Sequence, residues 1–294
     1  MAFLKGKFFY VFIFVILSLF SLNVNSCGYG ALELFHHGAF VDERTDQLTE
    51  LGSGRVGSSF DSLSGSYTFV IFSDPHYGSK RADNIDEAEF LEWLDSLSVK
   101  PKFCICLGDI ADHGERSEFE KYNAFASRIE SITGGKVYGV VGNHDLYNSG
   151  WDDFEDLVYP NVSFYRFAIN SISYYFLDTG SGSMGTTQFN KFKAAMAADS
   201  NYKIVCTHYP CYGTKDFFAS YYSLQNTLEA DQLITLLKKQ KAIAYLSGHM
   251  HAEHSTDFGT FTEYVVPAFL SNEKFAVMTV NESNHTATYK SYSY

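Results

Sequence analysis

Apolar residues along this chain come in short, dense runs, and five of those runs end on Asp, Asn or His. Tyr67-Thr68-Phe69-Val70-Ile71-Phe72 leads into Ser73-Asp74-Pro75-His76, and Phe103-Cys104-Ile105-Cys106-Leu107 into Gly108-Asp109. Val137-Tyr138-Gly139-Val140-Val141 leads into Gly142-Asn143-His144-Asp145. Lys203-Ile204-Val205-Cys206 precedes Thr207-His208, and Ala242-Ile243-Ala244-Tyr245-Leu246 precedes Ser247-Gly248-His249-Met250-His251. Each run is rich in β-branched or aromatic residues and gives way to Gly or a turn, which predicts a buried strand. In open α/β sheets the carboxyl ends of strands line the ligand crevice, so the pattern gathers these polar residues at one rim.

Helical periodicity fills the gaps. Asp86 to Leu97 places Phe90, Leu91, Trp93, Leu94 and Leu97 on a stripe behind an acidic start, and Glu115 to Ile132 repeats the pattern until Gly134-Gly135 stops it. Thr187 to Ala198 and Ser223 to Gln240 are the next two helices. Val162 to Phe167 and Ile172 to Leu177 read as a hairpin turning near Asn170-Ser171. Strand-like segments at Phe261 to Val266, Phe275 to Val280 and Thr286 to Tyr289 close the chain. The order predicts an α/β fold of two stacked mixed sheets flanked by helices.

The N-terminus is of another kind. Lys5 and Lys7 precede an apolar stretch from Phe8 to Leu22, which suits a signal-peptide core and falls short of the roughly 20 residues that span a bilayer. Residues 1–26 therefore read as a leader, 27–66 as a polar, Gly/Ser-rich tether or strap, and 67–294 as the main folded domain. Export to the cell envelope or beyond is expected. The cleavage region Val24-Asn25-Ser26-Cys27 admits ordinary cleavage after Ser26. It also resembles a bacterial lipoprotein signal, from which Asn25 departs, and that reading makes Cys27 a lipid-attachment residue with the membrane as partner.

Composition narrows the partners. The 294 residues, 46% hydrophobic, can bury a sizeable core. The formal charge is −12, two units more acidic once Lys5 and Lys7 leave with the leader. Such a surface repels long nucleic acid, whose binding depends on Lys and Arg neutralising phosphates. A small phosphorylated substrate remains open, because bound cations reverse the local field. Cys104 and Cys106 share a strand face and read as core thiols rather than zinc ligands; Cys211 is expected to be the exposed one.

Divalent cations take carboxylate, amide oxygen and imidazole nitrogen. Asp74, His76, Asp109, Asn143, His208, His249 and His251 offer all three. Two roughly five-coordinate sites exceed seven separate ligands unless one group bridges, and a carboxylate has lone pairs for that. The ordered set Asp-x-His, Gly-Asp, Gly-Asn-His-Asp, His and Gly-His-x-His resembles the calcineurin-like metallophosphoesterase superfamily. The resemblance implies an αββα sandwich and two divalent ions (Mn, Fe or Zn). One ion would be held by Asp74, His76, Asp109 and His251, with Asp109 bridging to a second held by Asn143, His208 and His249. It further implies that His144 faces the substrate and that Asp145 orients its ring. Metal ligation would lower the pKa of water from near 16 towards ~7 for attack on a small phosphomonoester or phosphodiester.

Other residues carry plainer readings. Asp112 reads as a loop cap, and the lack of a Tyr there argues against the purple acid phosphatases. His113 and His254 read as rim histidines, and His36-His37 as part of the tether. Gly180-Ser181-Gly182-Ser183 lacks the Lys-Ser/Thr of a phosphate loop. Tyr147, Trp151, Tyr209, Tyr212 and Lys215 follow the motifs and either line the crevice or pack. A catalytically inactive scaffold is the rival reading, and the completeness of the ligand set speaks against it. Oligomeric state is not legible in the sequence.

Overall fold

Alternation within the first apolar run decides the layering. A computed structural model describes residues 36–56, 65–80, 82, 87–213 and 222–294. The expected leader, Cys27, Asp86 and Lys215 lie outside them. In β2 (Ser66–Phe72), Phe69 and Ile71 enter one apolar cluster while Val70 and Phe72 enter another. Side chains alternate across a strand, so both faces of this sheet are covered.

β2 pairs in parallel with β3 (Cys104–Cys106), which pairs in parallel with β4 (Val137–Gly139). On its other side β2 meets β11 (Lys274–Asn281) and then β12 (Thr286–Ser293), both antiparallel. The second sheet has the order β1-β5-β6-β7-β8-β10-β9. It comprises β1 (Thr49–Glu50), β5 (Tyr165–Ile169), β6 (Ile172–Phe176), β7 (Tyr202–Cys206), β8 (Ala242–Ser247), β9 (His254–Asp257) and β10 (Thr262–Val265). Phe69, Phe103 and Tyr138 of one sheet meet Phe167, Tyr174 and Phe176 of the other in a fully buried aromatic core.

Helices cover the outer faces. Over the five-stranded sheet lie α1 (Ala88–Ser96), α2 (Arg116–Thr133) and α3 (Trp151–Leu157). Over the seven-stranded sheet lie α4 (Gly185–Ala198) and α5 (Thr227–Lys239). The result is the expected four-layer αββα sandwich. The predicted helices exist with ends shifted by a few residues, and capping explains two of the ends. Glu115 and Glu118 form a reciprocal capping box that starts α2, and Gly134 ends it at φ 72°. The Asn226 side chain accepts from Leu228 N and Glu229 N, so α5 starts later than its apolar period suggests.

Three features depart from the sequence expectation. α3 and the short strands β1 and β9 carry too little periodicity to be seen. Cys211 is buried, not exposed, because its N–H donates to the buried Glu263 carboxylate at 2.7 Å. The polar stretch expected as a tether or strap contributes β1, paired with β5, and a buried cation. Arg44 donates twice to Asp178, at 2.7 and 3.0 Å, with both side chains fully buried. It also reaches Gly38 O and Ser181 Oγ, and lies 5.6 Å from the centre of the Trp151 ring. Next in the chain, Thr179 Oγ1 accepts from His208 N and Tyr209 N, so the pair braces a loop that touches the crevice.

Arg44→Met leaves Asp178 buried without its partner. We expect urea denaturation to show a loss of about 3–5 kcal/mol, and a smaller loss when Asp178→Asn accompanies it.

Candidate metal centre

The strand ends hold their polar side chains through unusual backbone. Asp74, His76, Asp109, His249 and His251 all have φ between 48° and 68°. Non-glycine residues adopt that left-handed region at a cost of order 1–3 kcal/mol, and such residues cluster at functional sites. Two glycines permit the close approach of these turns. A Cβ on Gly142 would strike Asp109, and one on Gly248 would strike Ser73 Oγ.

Besides His76, Asp112 and His144, which also come together, the expected ligands form two groups of donor atoms, each drawn together within 4.8 Å: Asp74, His76, Asp109 and His251, and Asp109, His208 and His249. Asp109 belongs to both. In the first group His76 Nε2 lies 3.0 Å from His251 Nε2 and 3.7 Å from Asp109 Oδ2, and His251 Nε2 lies 3.4 Å from Asp74 Oδ1. In the second, His208 Nε2 lies 3.3 Å from Asp109 Oδ2, 3.1 Å from His249 Nδ1 and 3.2 Å from Asn143 Oδ1. All seven expected ligands thus converge at one rim, and the residue shared by these two groups of ligands is the Asp109 carboxylate.

Does this donor set fit metal ions? His208 decides it. Its Nδ1 lies 2.7 Å from the Leu107 carbonyl, which only accepts, so Nδ1 carries a proton. Nε2 then faces a carboxylate oxygen and an amide oxygen, both acceptors. That arrangement is stable only with positive charge at Nε2, either a proton or a cation. Burial opposes a charged His208, yet the Asp109 carboxylate pushes its pKa up to about 9. Burial and the neighbouring His208 push His249 down to about 4. Burial would raise Asp109, but His208 and His76 hold it far below the usual carboxylate range. Donor spacings of 3.0–3.7 Å also match the edges of a coordination shell with bonds near ~2.1 Å. The residues fit the ions.

Residues 67–253 match the calcineurin-like phosphoesterase family model. The chain belongs to the calcineurin-like phosphoesterase family. It is a phosphoric ester hydrolase that works with two metal ions. It is 27% identical over 203 residues to a probable cyclic nucleotide phosphodiesterase of Fibrobacter succinogenes, covering 67% of this chain and 77% of that one. A shorter match, 30% over 87 residues and 27% of each chain, is to a cAMP/cGMP dual specificity phosphodiesterase of Mycobacterium tuberculosis. The fold resembles that of a dimetal phosphatase from Danio rerio, with a TM-score of 0.56 at 12% identity over 78% of this chain and 100% of that one. It also resembles GAP50, the anchor in the inner membrane complex of Plasmodium, at TM-score 0.53 and 16% identity over 78% and 85%.

Within this phosphoesterase, two residues exchange the roles expected of them. The Asp145 carboxylate is fully buried and does not orient His144. Its two oxygens accept from Ala111 N and Gly142 N, each at 2.8 Å, tying the second and third motif loops together. Burial and the charge of Asp109 push its pKa up to about 7 against those two donors. The ring of His144 is held instead by Asp112, whose backbone oxygen accepts from Nδ1 at 2.7 Å. Asp112 is more than a loop cap, since its Oδ1 also lies 3.1 Å from His76 Nδ1. The turn composition of Gly108-Asp109-Ile110-Ala111-Asp112 hides this, because His76 is remote in sequence.

The aromatic candidates also separate. Trp151 is buried beneath Arg44 and packs on Phe154, whereas Tyr147 lies against His144 with ring centres 4.6 Å apart. Tyr209 is buried against His249, and Tyr212 is exposed. His113 is half exposed and pairs with Glu118.

Asp112→Ala removes the carboxylate beside His76 Nδ1. Such partners of ligating histidines are worth 10–100-fold in metal affinity, so titration calorimetry with Mn²⁺ or Zn²⁺ should show binding weaker by roughly that factor.

Proposed function

We propose that this protein is an exported phosphodiesterase acting on a small phosphodiester, with cyclic nucleotides the first substrates to try. The observation that carries the reading is the shared Asp109: two donor groups meet on one carboxylate beside His144. The relatives from Fibrobacter and Mycobacterium are named as phosphodiesterases, which favours a diester over a monoester. Export rests on Lys5, Lys7 and the apolar stretch to Leu22, with Cys27 the candidate point of lipid attachment.

In this reading Asp74, His76, Asp109 and His251 hold one ion, and Asp109, Asn143, His208 and His249 the other. Ions bound there would supply charge to neutralise phosphate oxygens and would lower the pKa of water towards neutrality. The chain's own groups do the rest. Asp109 Oδ1 accepts from His144 N at 2.8 Å, which fixes the backbone of the residue nearest the substrate. The Asp112 carbonyl keeps the His144 proton on Nδ1, leaving Nε2 to give or take a proton. His144, His76 and His251 line a cavity of ≈ 300 Å³ together with Ser79, Lys80 and Ser271. That volume is at the lower end of ligand sites and suits a small ester.

The test is a substrate panel with metal control. Metal-stripped protein lacking its leader should be inactive and recover with Mn²⁺ or Zn²⁺. The recovered enzyme should hydrolyse cAMP or a nitrophenyl phosphodiester faster than the matching monoester. Faster monoester turnover would reverse the substrate assignment, and failure to recover with any divalent ion would overturn the enzymatic one.

A pair of variants divides the labour. We expect His144→Asn to keep its metal content and lose 10²–10⁴-fold in turnover, the usual range for a general acid or base. Asp109→Asn should lose metal from both positions, as elemental analysis would show. Equal metal loss in the two variants would refute this division.

A further inference from the structure

The histidines of the site are held by different means. His208 and His144 each have Nδ1 on a backbone carbonyl at 2.7 Å, and His76 has Nδ1 beside the Asp112 carboxylate. Ligating histidines are ordinarily fixed in this way, by a partner on the second ring nitrogen. Among the described residues no acceptor faces the second ring nitrogen of His251 or of His249, and of the two only His249 has an aromatic ring stacked on it. The Nδ1 of His249 faces His208 Nε2 at 3.1 Å.

What meets His249 is a ring face. The Tyr209 ring is stacked on the imidazole, with centres 3.9 Å apart and planes 28° from parallel. Tyr209 is itself immobilised. It is buried, its N–H donates to Thr179 Oγ1 at 2.9 Å, and its carbonyl accepts from Tyr245 Oη at 3.0 Å and Thr207 Oγ1 at 2.9 Å. The backbone of His249 is fixed separately, at φ 68° with its N–H on the Asp74 carboxylate. That anchor leaves rotation about the side-chain bonds free. The Tyr222 ring is farther off, 6.0 Å away and tilted by 58°, so the stacked Tyr209 ring is the flat neighbour that limits it.

We propose that Tyr209 is a positioning residue for the metal centre, setting the plane of His249 through its ring rather than through a hydrogen bond. The inference rests on the reading of His249 as a ligand in the second donor group. It assigns a role to the residue directly after His208, so one short segment supplies a ligand and orients its neighbour. The first donor group, which lacks both His208 and His249, is untouched by this contact.

Metal stoichiometry and affinity test it without recourse to activity. Apo full-length wild type, Tyr209→Phe and Tyr209→Leu would be titrated with Mn²⁺ and analysed for bound metal per chain, with thermal unfolding as a check on folding. Tyr209→Phe keeps the ring and should bind two ions with wild-type affinities. Tyr209→Leu should bind the first ion normally and the second roughly tenfold more weakly. Wild-type affinity for both ions in Tyr209→Leu would overturn the proposal, as would equal weakening of both ions. Loss of the second ion in Tyr209→Phe would also overturn it, since the hydroxyl rather than the ring would then be responsible. Should Tyr209→Leu not fold, Tyr209→Met takes its place with the same expectations. Fewer than two ions in the wild type would defeat the two-metal reading itself, a result distinct from any difference among the variants.

Discussion

Lone pairs that point at one another set the terms for this structure. Asp74, Asp109, Asn143 and four imidazoles crowd one rim, and the nitrogen of His208 faces two oxygens that cannot donate to it. Taken without compensating charge, two buried carboxylates this close to the apolar core would be costly. The opposed shifts of His208 and His249, neighbours at 3.1 Å, express the same demand for shared positive charge. The left-handed backbone at five ligand positions is the mechanical side of it. Strain of that kind persists only where surrounding structure over-determines it, and here the aromatic sandwich core does so.

The fold explains why one rim can carry so much. β2, β3 and β4 run parallel in one sheet, and β6, β7 and β8 run parallel in the other. The carboxyl ends of these strands release their loops at the same edge of the stacked sheets. Backbone bridges between the loops then fix register at the scale of single atoms. Asp74 N donates to Gly108 O and His76 N to Asp109 O, both at 3.0 Å, while Gly248 N donates to His208 O at 2.9 Å. Asp145 adds a carboxylate tie between the second and third loops.

Much of this is legible in the amino-acid sequence. A strand buried on both faces writes itself as an unbroken apolar run, so β2, β3, β4, β7 and β8 stood out together with the ligands at their ends. What stayed hidden depends on contacts between residues far apart in sequence. Arg44 sits in a polar stretch with no periodicity, and only the fold reveals that it meets Asp178 across 134 residues. The roles of Asp112 and Asp145 were exchanged for the same reason. Adjacency in Gly-Asn-His-Asp suggests that the Asp serves the His, but the turn sends the Asp145 carboxylate inward to backbone amides. The partner of His144 arrives from the preceding motif.

That exchange has a consequence for how the site holds together. A buried carboxylate on two amides rigidifies loops, whereas a carbonyl on an imidazole sets a tautomer. The chain uses both devices within the five residues from Gly142 to Leu146 and joins them through Asp109, whose Oδ1 takes His144 N while Oδ2 faces His76 and His208. One carboxylate therefore positions the residue that meets the substrate with one oxygen and presents the other to both donor groups. Geometry at phosphorus and geometry at the metal positions are thereby coupled through Asp109. A shift of the loop that spoils one must spoil the other.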